Sequence, residues 1–481
     1  MHNHLSCFRS VFGLLLLVLC SPAVSLASPA AGLKPNILYV VSDDHGWKDV
    51  GFHGSDIRTP TLDRLAESGA RLEQFYAQPM CTPTRAALMT GRYPCRYGLQ
   101  TLVIPSGHTY GLPTDEWLLP QALKEAGYYT AIIGKWHLGH ADRKFWPRQR
   151  GFDFQYGPLI GEIDYFTHEQ HHVVDWYWNN KQLKEKGYST TLLGNAAVKL
   201  IGSHNPATPL YLYLAFNAPH TPYQAPQEYL DQYRAIADPS RRAYAAAITA
   251  MDDQIGRVVK ALEDRGMRQN TLIVFQSDNG GTRNAMFAGE RDMSQVKIPC
   301  DNGPYRDGKG SLYEGGTRVV ALANWPGHIQ PGTVVTGMLH VVDMYPTLLK
   351  LAGGSSAKCK PLDGVDVWAT IAAGQPSPRT EIVYNVEAFR AGLRQGDWKL
   401  VWRVPLPSSV ELYNLAGDPG EKTNLAEQNP DRVASLQKRV HELAKDMPKS
   451  PMLVREFQEM VKRLAVPPAL PGEEFEFNQE P

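Results

Sequence analysis

The chain reads as an α/β protein: a large central mixed, mostly parallel sheet flanked by helices, followed by a small C-terminal α+β domain built on an antiparallel sheet. Three observations lead there. At 481 residues it is too long for one ordinary core, so a large and a small domain are expected. From Pro35 onward, short continuous apolar runs alternate with helical patterns, the signature of strands buried on both faces between helices. Near Pro376 the pattern changes to closely spaced short strands joined by turn residues.

In chain order, the first segment reads as an export signal. His2, His4 and Arg9 precede the apolar run Val11 to Leu19, and the small residues Ser25 and Ala27 are spaced for cleavage after Ala27. Residues 1–27 are therefore expected to be a signal peptide. The run is too short to span a bilayer comfortably, and no other segment reads as transmembrane. Cys20 hints at a lipoprotein, but Leu19 is bulky where such a signal wants a small residue. Cys81, Cys95, Cys300 and Cys359 remain after cleavage, too few for a disulfide framework, although a Cys300–Cys359 bridge stays open. No asparagine begins an Asn-x-Ser/Thr sequon, which favours a bacterial periplasmic or extracellular protein over a lysosomal one.

The expected strands are 37–41, 129–133, 210–216 and 271–275, with helices over 61–68, 116–126 and 241–264. Together they make a catalytic domain over 35–375. Strands over 381–385, 389–394 and 398–401 and a helix over about 430–445 make a second domain over 376–466. The Pro- and Glu-rich residues 467–481 read as a loose tail. There are no internal repeats. Lys plus Arg equal Asp plus Glu at 49 each, so no global field recruits nucleic acid or a membrane surface. An anionic substrate must be held by a local cluster of cations.

Chemistry gathers where the strands end. Strand 37–41 leads into Asp43-Asp44, strand 129–133 into Gly134-Lys135-Trp136-His137, strand 210–216 into His220, and strand 271–275 into Asp278-Asn279. In open α/β sheets, ligands bind outside the carboxyl ends of the strands. Three carboxylates and an amide oxygen suit Ca²⁺ better than zinc, with Mg²⁺ the runner-up. The competing reading of either acidic pair is helix capping, but two pairs directly after buried strands favour a metal. In Cys81-Thr82-Pro83-Thr84-Arg85, Pro83 suits the first helical position, Thr82 the N-cap, and Gly91 the end of the helix. Cys81 then lies just before a helix N-terminus, where an anion is favoured, with Arg85 one turn along. Taken singly, His220 could be a loop histidine and Lys309 a solvated turn lysine; Trp136 reads as packing.

The string Cys81-Thr-Pro-Thr-Arg-Ala-Ala-Leu-Met-Thr-Gly-Arg92 resembles the signature of the formylglycine-dependent (type I) sulfatases of the alkaline phosphatase superfamily, and Gly134-Lys-Trp-His-Leu-Gly139 resembles their second signature. Thr84 stands where Ser is commoner. The likeness runs from Pro35 to about Asn424 and looks nearest to the N-acetylgalactosamine-4-sulfatase (arylsulfatase B) group. It implies an alkaline-phosphatase-like fold and sulfuric ester hydrolysis. It also implies one Ca²⁺ per chain on Asp43, Asp44, Asp278, Asn279 and the modified Cys81, which a formylglycine-generating maturation enzyme would convert. By the same likeness Arg85 steadies the formylglycine hydrate, His137 is the base that releases sulfate, and Lys135, His220 and Lys309 bind it. His220 or Lys309 would protonate the departing oxygen.

Residues 143–178 mix Phe145, Trp146, Phe154, Tyr156, Tyr165, Phe166, Trp176, Tyr177 and Trp178 with Arg143, Arg148, Arg150, His168, His171 and His172. Aromatic faces with interspersed cations suit an anionic sugar, although about half of such aromatics are expected to be packing. The resemblance favours a sulfated galactose-type residue taken from a chain end. Two other readings stay open: a phosphodiester or phosphonate monoester hydrolase, and a non-catalytic binder of sulfated glycans.

Overall fold

The computed structural model describes residues 34–283, 298–404 and 407–465; the expected signal segment and the tail 467–481 fall outside them. Ten strands form the main sheet: β1 (Asn36–Ser42), β2 (Ala70–Leu72), β3 (Tyr129–Gly134), β4 (Phe154–Gly157), β5 (Tyr177–Trp178), β6 (Lys181–Gln182), β7 (Leu210–Ala215), β8 (Thr271–Ser277), β9 (Ala321–Asn324) and β10 (Thr333–Val335). Their order is β10-β2-β9-β8-β1-β7-β3-β4-β5-β6. The middle of the sheet, β8-β1-β7-β3-β4, is parallel, while β9, β5 and β6 pair antiparallel with their neighbours. The sheet is mixed and mostly parallel, as the apolar runs imply.

Alternation explains why those runs must be continuous. Ile37, Tyr39 and Val41 of β1 face one core, with Leu119, Ala122 and Leu123. Leu38 and Val40 face the other, with Leu193, Ala197, Ile255 and Val258. A strand buried on both faces has no polar position to spare. The helices over these faces are α1 (Pro60–Glu67), α2 (Cys81–Thr90), α3 (Leu119–Glu125), α4 (Ser189–Ser203) and α5 (Pro239–Asp264). The third starts later than expected because a turn closed by Glu116 N donating to Pro113 O (3.2 Å) precedes it, and Pro120 stands in its first turn.

The small antiparallel sheet runs β11 (Glu381–Val386), β12 (Arg390–Gln395), β13 (Trp398–Arg403) and β14 (Ser409–Asn414), in that order. Its fourth strand was not anticipated. Helix α6 (Pro430–Ala444) covers it, and a further helix, α7 (Pro451–Ala465), follows. The sheet is tied to the main body through buried charge. Lys399, fully buried, reaches Glu314 at 2.9 Å and Glu421 at 3.0 Å. Cys300 and Cys359 are both free, so the possible bridge is not formed. No helix among the described residues is long and apolar enough to cross a membrane.

Candidate active site

The carboxyl ends of β1, β3, β7 and β8 converge, and backbone hydrogen bonds between the turns that leave them hold them together. Asp43 N donates to Ala218 O (3.1 Å), Asp278 N to Ser42 O (3.0 Å) and Lys135 N to Ala215 O (2.8 Å). Asp44 and His137 adopt left-handed backbone at φ 62° and 57°, which turns the chain sharply as it leaves the strand. At Gly134 only glycine fits: φ is 109°, and a Cβ would fall 1.8 Å from Ala215 O.

Every site residue expected from the sequence is found in this cluster. Asp43, Asp278 and Asn279 are fully buried, and Asp44 nearly so. Lys135 Nζ lies 2.5 Å from Asp43 Oδ2, Lys309 Nζ 2.8 Å from Asp44 Oδ2, and Arg85 NH2 2.8 Å from Asp278 Oδ2. Each carboxylate thus commits an oxygen to a cation. Asp43 Oδ1 and Asn279 Oδ1 each lie 3.5 Å from the Cys81 thiol. Ligand atoms of Asp43, Asp44, Cys81 and His220 lie within 4.8 Å of one another. A donor set dominated by hard oxygens fits Ca²⁺ or Mg²⁺, and a single thiol and imidazole do not make it a zinc site. Three carboxylates (Asp43, Asp44, Asp278) face three cations (Arg85, Lys135, Lys309), so the cluster is formally neutral.

Burial and charge set the protonation states. Burial alone would raise the Asp44 carboxyl, but the Lys309 ammonium beside it outweighs that and holds it well below the usual carboxylate range. Burial would lower Lys309, yet Asp44 keeps it above the ordinary lysine value. Burial and then the Lys309 charge push His220 down to about 4. Burial and then Lys135 push His137 well below the usual imidazole range. Burial, reinforced by the Asp278 charge, raises Cys81 well above an ordinary thiol. A thiol held neutral is a poor nucleophile.

Cys81 is the first residue of α2, with Met80 as N-cap. This corrects the expected capping by Thr82. Its hydroxyl instead donates to His137 O (3.0 Å) and accepts from Ile104 N (3.1 Å), tying α2 to the β3 turn and to the loop that walls the site. Gly91, at φ 66°, ends the helix as expected. His220 Nδ1 sits 2.7 Å from Thr221 O, which leaves Nε2 to face Lys309 Nζ at 3.0 Å. His137 Nδ1 is buried without a hydrogen-bond partner among the described residues.

Above these groups lies a cleft of about 260 Å³ with Cys81, His137, His220 and Lys309 on its lining. Most of the aromatic and basic segment after His137 is elsewhere. Phe145, Trp146, Tyr156, Tyr165 and Trp176 are buried in packing, and Arg150 donates to the carbonyls of Leu112, Pro113 and Glu116. From that segment the cleft takes Ile160, Gly161, Glu162 and Gln170 instead, together with residues 102–106. No sequence pattern marks these, because their place depends on how two loops fold over the rim. Thr221, beside His220 in Pro219-His-Thr-Pro222, could have been found by adjacency.

A carboxylate cluster, a buried residue at a helix start and three cations on one rim of a parallel sheet define a hydrolase of anionic esters, on a fold of the alkaline-phosphatase type. A family model described as Sulfatase matches residues 35–355, and one described as N-sulphoglucosamine sulphohydrolase, C-terminal, matches residues 305–449. The chain belongs to the sulfatase family, and with it to the sulfuric ester hydrolases. It is 38% identical to Arylsulfatase J of Mus musculus over 408 residues, covering 82% of this chain and 66% of that protein. It is 35% identical to N-acetylgalactosamine-6-sulfatase of Mus musculus over 397 residues, covering 78% and 73%. The crystal structure of Ps i-CgsB in complex with k-i-k-neocarrahexaose superposes with a TM-score of 0.79 at 33% identity, covering 87% of this chain and 94% of that one. These relatives do not carry the particular likeness to the 4-sulfatase group that the sequence motifs evoke.

Proposed function

We propose that the protein removes sulfate from a galactose-type residue of a sulfated carbohydrate, at a chain end, using Ca²⁺ and a formylglycine made from Cys81. The observation that carries this reading is the meeting of three carboxylates, an amide and three cations around Cys81 at the floor of a cleft. The likeness to an N-acetylgalactosamine-6-sulfatase and to a structure in complex with k-i-k-neocarrahexaose supports the sugar class. Asp43, Asp44, Asp278 and Asn279 would hold Ca²⁺, which would add two positive charges to a formally neutral cluster and so offset the charge of a sulfate. Position 81 would hold the formylglycine, whose hydrated aldehyde would supply two hydroxyls, one for attack on sulfur and one for release of the sulfate.

The remaining work falls to this chain's side chains. Lys135 and Lys309 hold the sulfate in a site whose charges are already in position. Arg85 fixes Asp278 through their 2.8 Å ion pair. His220, held by its Nδ1 to Thr221 O, turns Nε2 towards Lys309, and the pair protonates the leaving oxygen. His137, neutral and with Nδ1 unengaged, accepts the proton that accompanies sulfate release. The test has two arms. Active protein should release sulfate from defined sulfated galactose-type saccharides, with little turnover of the matching phosphate esters, and lose that activity on exhaustive chelation. The peptide containing Cys81 should show the mass of the aldehyde, and Cys81→Ala should abolish turnover with the fold retained. Full activity from an unmodified Cys81, or from metal-free protein, removes the reading.

A further inference from the structure

The cleft above Cys81 contains a carboxylate that an anion-binding site has no evident use for. Glu162 is half-buried on the lining that also holds His220 and Lys309. Among the described residues no lysine, arginine or histidine pairs with it; its hydrogen bond comes from Thr221 Oγ1, 3.3 Å from Oε1. That hydroxyl lies 3.4 Å from His220 Nδ1, so the carboxylate stands two hydrogen-bond lengths from the ring at the heart of the site. The backbone around Glu162 is firmly held. Asp175 accepts from Leu159 N (3.2 Å) and Ile160 N (2.7 Å), and His137 N donates to Leu159 O (3.0 Å). On the other side Tyr165 OH donates to His220 O (2.8 Å).

A second polar side chain borders the same space. Gln170 lines the cleft, and its Oε1 is buried with no donor among the described residues. A carboxylate with lone pairs still open towards a cleft is matched by a donor on the right ligand. A sulfate or a sugar carboxylate offers only further acceptors, and a negative group beside Glu162 is repelled. A hydroxyl offers a donor.

We propose that Glu162, with Gln170, reads a free hydroxyl next to the sulfate ester and turns away sugars that carry a second anionic group at that position. This rests on the sulfated-carbohydrate reading of the site and adds to it a rule for which sulfated sugars enter. The preference follows from a repulsive element built beside an attractive one, the usual route to specificity between close analogues.

The test compares kcat/KM for three esters in the wild type, Glu162→Gln and Gln170→Leu. These are an aryl sulfate without sugar hydroxyls, a monosulfated galactose-type saccharide, and the same saccharide with a second sulfate on the neighbouring hydroxyl. The aryl ester sets the scale, and each saccharide value is divided by it. The wild type should prefer the monosulfated sugar by about 100-fold or more, below the limit a fully buried polar mismatch reaches because Glu162 is only half-buried. Glu162→Gln should shrink that preference about tenfold, chiefly through KM. Gln170→Leu should weaken the monosulfated sugar relative to the aryl ester. An unchanged preference in Glu162→Gln, with the aryl ester still hydrolysed, overturns the inference and leaves the sulfatase reading intact. A wild type that hydrolyses none of the three overturns both.

Discussion

Gly161 marks how closely the cleft wall is fitted to the reacting groups. A Cβ there would fall 2.3 Å from His137 Cε1, and its backbone angles are ones any residue can adopt. Gly161→Ala should therefore leave the fold standing and displace the His137 ring. On the reading proposed above His137 is a catalytic base, and a shift of about 1 Å in such a group can cost about 100-fold, so kcat should fall by that order while the melting temperature moves little. Parallel measurement of kcat and thermal unfolding decides it, and an alanine variant with native kcat would show that the His137 ring has slack. Single residues also show what the sequence could and could not disclose. Asp43, Asp44, Lys135, His220, Asp278 and Asn279 were legible because each follows directly on a buried strand, and strand ends are a place the fold brings together. Thr82 was misread because capping preference is a local property. Its hydroxyl is drawn away by His137 O and Ile104 N, groups that no window around residue 82 contains. Glu162 and Gln170 left no trace for the same reason.

At the scale of elements, α1 is held at its N-terminus by another helix. Asp252, on α5, accepts from Thr61 N at 2.9 Å and Leu62 N at 2.8 Å, satisfying two of the donors that a helix start leaves over. Burial nevertheless pushes the Asp252 carboxyl up to about 6 from its usual 3.8. An acid raised in the folded state binds its proton more tightly there than when unfolded. Its contribution is present below about 3.8 and is lost as pH rises through about 6, a change of about 3 kcal/mol. Asp252→Asn should flatten that part of the stability curve, seen as a smaller difference in urea midpoint between acid and neutral buffer than in the wild type. Equal differences in the two proteins would remove Asp252 from the account. The strands and α5 were readable because continuous apolar runs and long periodicity survive without tertiary context. Helix α4 was missed although Leu193, Ala197 and Ile201 recur on one face. Its start at Ser189 follows a run of short loop strands that masks the periodicity. Strand β14 was missed because its outer residues are half-exposed, so its apolar signal is weak.

At the scale of the whole molecule, the main sheet and the small C-terminal sheet together shape what can reach Cys81. The cleft over the site is bounded on one side by residues 102–106 and on another by Ile160, Gly161, Glu162 and Gln170. It shares Leu102 and Lys309 with a neighbouring depression of about 380 Å³ whose lining includes Arg390 and Arg403 from β12 and β13. Those two arginines sit opposite each other across the strand pair, partly countered by Glu387 and Glu411. On the reading proposed above, a sugar whose sulfate is held by Lys135 and Lys309 meets the lining at Glu162 on one side and the depression with the guanidinium pair on the other. On that reading the target residue is a chain end, and the rest of an anionic saccharide leaves through the opening on the side of that pair. Internal sulfates would need room on both sides. A sulfated disaccharide should then be desulfated at least tenfold faster, per accessible sulfate, than the intact polymer, and digestion of the polymer by an endo-acting lyase should recover most of the difference. Arg390→Ala and Arg403→Ala should raise KM for the disaccharide more than for a sulfated monosaccharide, because the monosaccharide does not reach the opening. If the intact polymer loses internal sulfates as fast as the disaccharide does, the wall at Glu162 does not close the cleft and the enzyme works along the chain.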